Sequence, residues 1–259
     1  MLCTDSRQLL IYFALKYNGD YEKIYLALAL KEDPPIEEVL EVTKKVKSRT
    51  LTILDYDYPL KLKQLYRPPF VLFYYGDITL LDKQILGVVG SREYNECGKK
   101  WCESVISEVI KGRVVVSGLA RGIDTIAHTC AIQNHARTIA VLGCGIDFCY
   151  PSENQELYDE IKKNHLIISE YPGSLPPQKF YFPMRNRIVV GLSDGIYIPQ
   201  INNYMSGTMI SLNLALNLGK EVFVSPHPVD SGTINNRLID EGATFTKDGQ
   251  IILTELHWR

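Results

Sequence analysis

ILGVVGSR (residues 85–92) is typical of a buried β-strand that runs directly into a sharp turn, because its apolar run contains adjacent β-branched valines. Gly90 permits a tight turn and a close approach of the backbone. Ser91 is predicted to cap a helix that follows. Such a helix start offers free N–H groups, and Arg92 adds a cation that can grip a phosphate. Taken alone, the stretch fits a phosphate site and an ordinary structural turn equally well.

From this stretch onward, short apolar strands alternate with amphipathic helices. The predicted strands are residues 85–89, 113–117, 138–142, 166–169, 195–199 and 221–225. The predicted helices are near residues 97–110, 123–133, 153–164, 184–192, 207–218 and 234–241. This alternation predicts an α/β fold with a mainly parallel sheet and helices on both faces. Ligands of such sheets bind beyond the carboxyl ends of the strands, where glycine or small polar residues follow every predicted strand.

The chain before this core divides into two parts. Residues 1–50 show apolar residues at helical spacing and are predicted to form a small all-α unit. Residues 51–84 are predicted to be a junction that packs on the core, with one short strand at 51–54 and another that closes near 76–77. Residues 85–259 then make up the core domain.

Composition places the chain among ordinary globular proteins. It has 259 residues, a formal net charge of −2, 46% hydrophobic residues and 22% charged residues. Polyanion binding therefore requires a local basic patch. The six cysteines form no C-x-x-C pair, which favours free thiols in a reducing compartment. No signal peptide or apolar run of about 18 residues is present, so we expect a cytoplasmic protein that does not enter a membrane.

The sequence offers little support for catalysis. The five histidines show no metal-ligand spacing, and no G-x-S-x-G elbow, P-loop or complete G-x-G-x-x-G is present. Residues 143–145 begin like a dinucleotide motif but lack the third glycine, and the second core strand ends on Ser117 rather than on a ribose-binding acid. We therefore predict no catalytic residue, no metal and no cofactor.

A basic segment is the second informative feature. Lys179, Arg185 and Arg187 carry three positive charges, and no acid lies between positions 179 and 193. If Pro183 starts a helix, both arginines lie in its first turn, which is the unfavourable end for cations. This placement favours charges that are held for an anion.

The basic segment also has a structural explanation. Glu170 or Asp194, elsewhere in the chain, can pair with its cations. The aromatic residues 180–182 can offer a nucleobase a ring face, worth about 1–3 kcal/mol per stacked base. They can equally well pack in the core.

The motifs in their order resemble the DprA/Smf family of DNA-processing proteins over about residues 50–245. The resemblance rests on GVVGSR (87–92), VSGLARGIDTIAH (116–128), AVLGCGIDFCYP (140–151), LIISEYPG (166–173), FPMRNRIVVGLSD (182–194) and SGT (206–208). It implies a Rossmann-like core and a protein that is not an enzyme. It also implies binding and protection of single-stranded DNA during natural transformation, loading of the recombinase RecA, and a homodimer.

The resemblance also implies a DNA-binding pocket at the carboxyl ends of the strands. Carried over residue by residue, the pocket consists of Gly90, Ser91, Arg92, Arg121, Lys179, Phe182, Arg185, Asn186, Arg187, Ser206, Gly207 and Thr208. The chain departs from the family in its N-terminal helices and in a slightly longer loop between residues 200 and 206. No C-terminal winged-helix domain is expected.

Two other functions remain open at this point. A related Rossmann-like family hydrolyses nucleoside monophosphates with a P-G-G-x-G-T-x-x-E motif. Residues 206–209 of this chain read Ser-Gly-Thr-Met, without the preceding glycine pair or the catalytic glutamate. The other alternative is a module that binds a small nucleotide at the Gly90 turn and ignores polymers.

Overall fold

A computed structural model describes residues 5–258. Residues 1–4 of the predicted helical unit, with the cysteine at position 3, and residue 259 of the predicted core lie outside this range. The helices are α1 Ser6–Lys16, α2 Tyr21–Ala29, α3 Ile36–Thr43, α4 Leu60–Lys63, α5 Glu96–Val109, α6 Ile123–Gln133, α7 Gln155–Asn164, α8 Tyr181–Leu192, α9 Gly207–Asn217, α10 Asn235–Asp240 and α11 Gly249–Glu255. The 3₁₀ turns are Ile78–Asp82 and Ser152–Asn154.

The strands form one nine-stranded sheet. They are β1 Arg49–Thr52, β2 Val71–Gly76, β3 Ile85–Val88, β4 Val114–Ser117, β5 Arg137–Val141, β6 Leu166–Ser169, β7 Gly195–Ile198, β8 Val222–Val224 and β9 Thr244–Phe245. Their order is β1-β2-β6-β5-β4-β3-β7-β8-β9. Every neighbouring pair in the run β6-β5-β4-β3-β7-β8-β9 is parallel, whereas β2 pairs antiparallel with both β1 and β6. The mainly parallel α/β sheet is confirmed, and the two junction strands extend it.

The core strands are apolar throughout because both faces of the sheet are covered. Ile85 packs in the cluster beneath α8 and α9, whereas its neighbour Leu86 packs on the opposite face against α5 and α6. Each residue of these short strands therefore removes apolar surface from water, whichever face it points to. This explains why the strands read as continuous apolar runs instead of alternating ones.

The N-terminal helices pack on the same sheet face as α7. Phe13 of α1 is fully buried in one cluster with Phe73 of β2 and Ile167 of β6. An ion pair of 2.9 Å between Arg7 and Asp55 ties α1 to the loop that follows β1. The helical unit is therefore packed against the edge of the sheet formed by β1, β2 and β6.

None of the helices within residues 5–258 is long and apolar enough to cross a bilayer. The five described cysteines are free thiols.

Candidate nucleic-acid interface

A cleft of about 440 Å³ opens at the carboxyl edge of the sheet, between the loops that follow β3 and β7. The strand order reverses at this pair, because β4 to β6 lie on one side and β8 and β9 on the other. This is the topological switch point at which open parallel sheets bind ligands. Nine of the twelve predicted site residues line the cleft: Gly90, Ser91, Arg92, Phe182, Arg185, Asn186, Ser206, Gly207 and Thr208.

The turn after β3 is fixed on both sides. A Cβ atom on Gly90 would lie 2.6 Å from Ile123, so only glycine lets the first residue of α6 pack against the turn. The backbone N–H of Ser91 donates to the carbonyl of Gln200 at 3.0 Å, and its hydroxyl accepts from the N–H of Asn202 at 3.0 Å. The turn is thus fastened to the loop after β7.

The prediction that Ser91 caps a helix is wrong. Helix α5 begins at Glu96, and its cap is Asn95, whose side chain accepts the N–H of Gly98 at 2.9 Å. The hydroxyl of Ser91 is engaged with the β7 loop instead. The phosphate-binding potential of this turn therefore comes from Arg92 and not from a helix end directly behind Gly90.

Arg92 is the accessible cation of the cleft. Its side chain is exposed, and its guanidinium carbon lies 5.6 Å from the ring centroid of Phe182. The ion pairs formed within residues 5–258 do not include Arg92. Its charge is consequently available to an incoming anion, and the Phe182 ring beside it offers an apolar face.

Arg185 forms the buried floor of the cleft. It is only 5% exposed and donates to the carbonyl oxygens of Gly118, just beyond the end of β4, and of Val141, the last residue of β5, the latter at 2.8 Å. A Cβ atom on Gly118 would lie 1.9 Å from the guanidinium, so this arginine needs a glycine beside it. Burial lowers the pKa of Arg185, and the carboxylate of Asp124 opposes that shift.

Asp124 and Glu93 are the acidic residues in the cleft wall. The Asp124 carboxylate accepts the N–H groups of Gly118 at 3.1 Å and Ala120 at 3.3 Å. Burial raises its pKa. The carboxylate therefore holds the loop after β4 in place, and these two N–H bonds leave it poorly placed to attack a substrate.

The start of α9 forms the opposite wall. Ser206 caps this helix, since its hydroxyl accepts the N–H of Met209 at 3.4 Å. Asn186 of α8 donates to the carbonyl of Gly207 at 3.3 Å, and a Cβ atom on Gly207 would meet nothing within 4 Å. The positive end of an eleven-residue helix thus faces open space on the side of the cleft opposite Arg92.

Arg187 is not brought to the cleft. It is 6% exposed and forms an ion pair of 2.5 Å with Glu170, which is itself 5% exposed. This is the structural alternative that the sequence left open for the basic segment. The expectation that both arginines lie in the first helical turn is also wrong, because α8 begins at Tyr181 and Arg185 is its fifth residue.

The two remaining predicted residues are exposed and do not line the cleft. Lys179 is exposed immediately before α8 and does not line the cavity. Arg121 lines a neighbouring pocket and forms an ion pair with Glu153, in which both side chains are largely exposed. Both can contact a ligand that extends out of the cleft.

The neighbouring pocket has a volume of about 280 Å³ and shares Arg92, Phe182 and Arg185 with the cleft. The Phe182 ring stands between the two cavities and lies 5.8 Å from the ring of Tyr150. A Cβ atom on Gly143 would approach Phe182 to 2.8 Å, so this glycine makes room for the aromatic wall. Together the two cavities offer cations, free N–H groups and ring faces within one concavity.

Nine of the residues that line the cleft were not predicted from the sequence, and four of them come from the loop after β7 and the start of α9: Asn202, Asn203, Ile210 and Ser211. In the sequence, the loop between β7 and α9 stands out only by its length. Its position after a core strand could have predicted that it lines the cleft, because every loop that leaves a parallel strand starts at the same edge of the sheet. The side chain of Asn202 donates to the carbonyl of Glu93 at 2.9 Å and so connects the two loops that flank the cleft.

The fold and the position of the cleft define a Rossmann-like protein, a class in which ligands bind at the switch point of a parallel sheet. Residues 5–258 contain no cluster of three or more metal-ligating side chains. The family model of the DNA recombination-mediator protein A matches residues 49–257. The chain belongs to this family.

Individual relatives agree with this assignment. The chain is 41% identical to the DNA processing protein DprA of Streptococcus pneumoniae over 81% of its own length and 74% of the relative. It is 40% identical to DprA of Bacillus subtilis over 89% and 80% of the two chains. The Rossmann-like fold and the resemblance to the DprA/Smf family are thereby confirmed.

Two solved structures are similar. The X-ray structure of DprA from Streptococcus pneumoniae has a TM-score of 0.84 at 33% identity and covers 98% of this chain and 99% of that one. DprA from Helicobacter pylori has a TM-score of 0.73 at 34% identity, over 82% and 97% of the two chains. The Helicobacter structure is described as showing a single-stranded DNA binding mode.

Proposed function

We propose that this protein binds single-stranded DNA in the cleft, protects it during natural transformation and helps to load RecA onto it. The observation that carries the proposal is the pair of Arg92 and Phe182: an exposed guanidinium with no ion pair in the described part of the chain, beside a ring face at the switch point of the sheet. Membership of the family and the single-stranded DNA binding of the Helicobacter relative support it.

Each part of the cleft has a role in this proposal. Arg92 and the N-terminus of α9, at Ser206, Gly207 and Thr208, contact successive phosphates. A base stacks on Phe182, which is tolerant of sequence because every base has a ring face. Arg185 contributes positive potential from the floor, with both of its carbonyl partners retained.

The remaining predicted contacts extend beyond the cleft. Lys179 and Arg121 contact the strand where it leaves the cavity. Both side chains are exposed; Arg121 lines the neighbouring pocket, and Lys179 lies three residues before Phe182. Asn186 holds the start of α9 through its bond to Gly207. Arg187 supports the site indirectly, through the packing of α8.

The direct test is fluorescence anisotropy with a labelled dT oligomer over a series of salt concentrations. The slope of log K against log salt is expected to be about −0.7 for each phosphate that is neutralised. Arg92→Ala is expected to weaken binding and make the slope shallower by about 0.7 with an unchanged fold. Lys100→Ala, which removes an exposed charge from α5, is the matched control.

A folded Arg92→Ala protein with the affinity and slope of the wild type would contradict the assignment of the site. A duplex of equal length is expected to bind more weakly, since paired bases cannot stack on Phe182. Two assays with AMP test the two nucleotide alternatives. A thermal-shift assay detects binding of a small nucleotide, and a search for released base detects hydrolysis. Stabilisation by AMP but not by dT would favour a nucleotide-binding module.

The proposal assigns no catalytic step, cofactor or metal to the protein, and it places the protein in the cytoplasm. RecA loading predicts faster assembly of RecA filaments on single-stranded DNA that is already coated with a single-strand-binding protein. A homodimer predicts twice the chain mass in sedimentation equilibrium. Unaltered filament assembly would remove RecA loading from the proposal without affecting DNA binding.

A further inference from the structure

The opposite, amino-terminal edge of the sheet carries a second basic surface. A depression of about 350 Å³ opens there beneath β3, β4 and β5. Its charged lining residues are all cationic, namely Lys83, Lys111, Arg113 and Arg137, with His135 beside them. In a chain of net charge −2, this is a marked local separation of charge.

Two of these cations make no side-chain hydrogen bond or ion pair within residues 5–258. Lys83 and Lys111 are exposed, and the ion pairs and side-chain hydrogen bonds within residues 5–258 leave both ammonium groups to solvent. Arg113, by contrast, donates to carbonyls at the end of α5 and lies 5.3 Å from the ring of Trp258. Arg137 donates to the carbonyl of Asn164. The two arginines are therefore held by hydrogen bonds to the backbone, whereas the two lysines are left to bind a ligand.

The basic surface continues along the edge. A second open depression is lined by Arg49, Lys162, Lys163 and His165, and Asp77 is its acidic residue. The strands above the two depressions follow one another in the order β1-β2-β6-β5-β4-β3. At about 4.8 Å between neighbouring strands, five steps span roughly 24 Å. This is an elongated surface and not a pocket for one small anion.

Helix dipoles explain only part of this arrangement. Lys162 and Lys163 lie in the last turn of α7, where cations are favourable, and Lys162 also lies 3.8 Å from Asp147. Lys83 follows a short 3₁₀ turn and has no such explanation. The pKa of Asp77 is lowered chiefly by its hydrogen bonds from Thr79 and further by the charges of Arg137 and Lys83. This one acid among the lining residues of the two depressions leaves an excess of positive charge.

We propose that this edge, the Lys83–Lys111 surface, is a second contact for the phosphate backbone of single-stranded DNA. The identity of the ligand as DNA rests on the proposed function of the cleft. Among the described residues that line the depression beneath β3 to β5, the one ring is that of His135, and there is no Phe, Tyr or Trp; the depression therefore contacts phosphates and leaves the bases free. Its contribution is therefore indifferent to base pairing and strongly dependent on salt.

The test compares two charge-matched variants. Lys83→Gln with Lys111→Gln removes the surface, and Lys100→Gln with Lys247→Gln removes two exposed charges elsewhere. The first is expected to weaken binding of a long dT oligomer about fivefold at low salt. It should also make the salt slope shallower by about 1.4. A short oligomer of about six nucleotides, which fills only the cleft, should bind both variants like the wild type.

Lysine acetylation measured by mass spectrometry gives an independent readout. Saturating long dT is expected to protect Lys83 and Lys111 and to leave Lys100 and Lys247 reactive. Combination with Arg92→Ala should multiply the losses in affinity, because the two surfaces lie at opposite edges of the sheet.

The outcomes separate the two proposals. If no oligomer binds the wild type, the proposed function of the cleft fails. If Arg92→Ala weakens the short oligomer but the Lys83–Lys111 variant binds long dT like the wild type, with no protection of either lysine, only the second surface is overturned. A loss of the same size for short and long oligomers would also overturn it, because the lysines would then act through the cleft.

Discussion

The substitution Glu170→Gln is expected to lower the free energy of unfolding and to leave DNA binding in the cleft unchanged. Arg187 and Glu170 form a buried pair, with side chains 8% and 6% exposed. Solvent therefore screens neither charge. The Nε and Nη1 atoms of Arg187 find no hydrogen-bond acceptor among the described residues, so Glu170 is the group that compensates its charge.

The expected cost follows from this geometry. Two unit charges at 4 Å attract by about 4 kcal/mol at an effective dielectric constant near 20. Removal of one partner from a buried pair typically costs about 3–5 kcal/mol. A glutamine at position 170 can still accept one hydrogen bond, which returns about 1 kcal/mol. We expect a net loss of about 3 kcal/mol, or about 6–12 °C in Tm for a chain of this size.

Urea unfolding and dT anisotropy measure the two effects separately. Glu153→Gln makes the same chemical change in the exposed pair with Arg121 and is expected to leave stability unchanged. The double variant Glu170→Leu with Arg187→Met is expected to recover most of the loss and to bind dT like the wild type. An unchanged stability of Glu170→Gln, or a loss of dT binding in the folded double variant, would refute a purely structural role for Arg187.

Two further predictions concern the floor of the cleft and the buried histidine behind it. Gly118→Ala is expected to cost about 1–3 kcal/mol in urea unfolding, because its Cβ atom displaces the Arg185 guanidinium from its carbonyls. Gly207→Ala, which meets open space, should stay within about 0.5 kcal/mol of the wild type. Buried His128 has a pKa lowered to about 3, so the unfolded chain takes up its proton first and stability falls as pH drops below 6.5. His128→Gln should remove roughly 2 kcal/mol of that loss between pH 6.5 and 5, and an identical pH profile for both proteins would contradict the burial argument.

The hydrogen bonds of His128 explain why its neutral form is held. The hydroxyl of Thr138 donates to the carbonyl of Val115 at 3.0 Å, so it accepts from Nδ1 of His128 at 2.7 Å. The proton of the neutral ring is thereby placed on Nδ1. A second proton would go to Nε2, which is buried without a partner among the described residues.

Local chemistry is enough to predict most of the parallel core. The helix predicted over residues 123–133 has the boundaries of α6, and the strand predicted over residues 166–169 has those of β6. The other predicted core elements differ from the observed ones by one to three residues at one or both ends. Strand β9 and helix α11 were not predicted. Strand β9 has only two residues, and its pairing with β8 is a tertiary contact that no local pattern records. The antiparallel pairing of β2 with β6 likewise depends on contacts distant in sequence.

The candidate site is predictable where it depends on strand ends and less so where it depends on side-chain direction. Glycine and small polar residues after the strands correctly locate the carboxyl edge. Arg185 and Arg187 are two positions apart on α8, so they point to different sides of the helix. A boundary error of three residues at the start of α8 conceals this difference, because the direction of a helical side chain depends on where the helix lies against the sheet.

The three arginines near the cleft differ chiefly in how much of their charge the fold already uses. Arg187 is compensated by Glu170, and Arg185 donates to two carbonyl oxygens and to the side chain of Asn186 at 2.9 Å. Arg92 has no hydrogen-bond or ion-pair partner within residues 5–258, which leaves its donors for a ligand, and it lies beside Phe182. A ligand phosphate must outcompete protein partners at Arg187 and Arg185 but only water at Arg92. Charge alone therefore does not rank these residues, whereas exposure together with the number of unused donors does, and Arg92 ranks first.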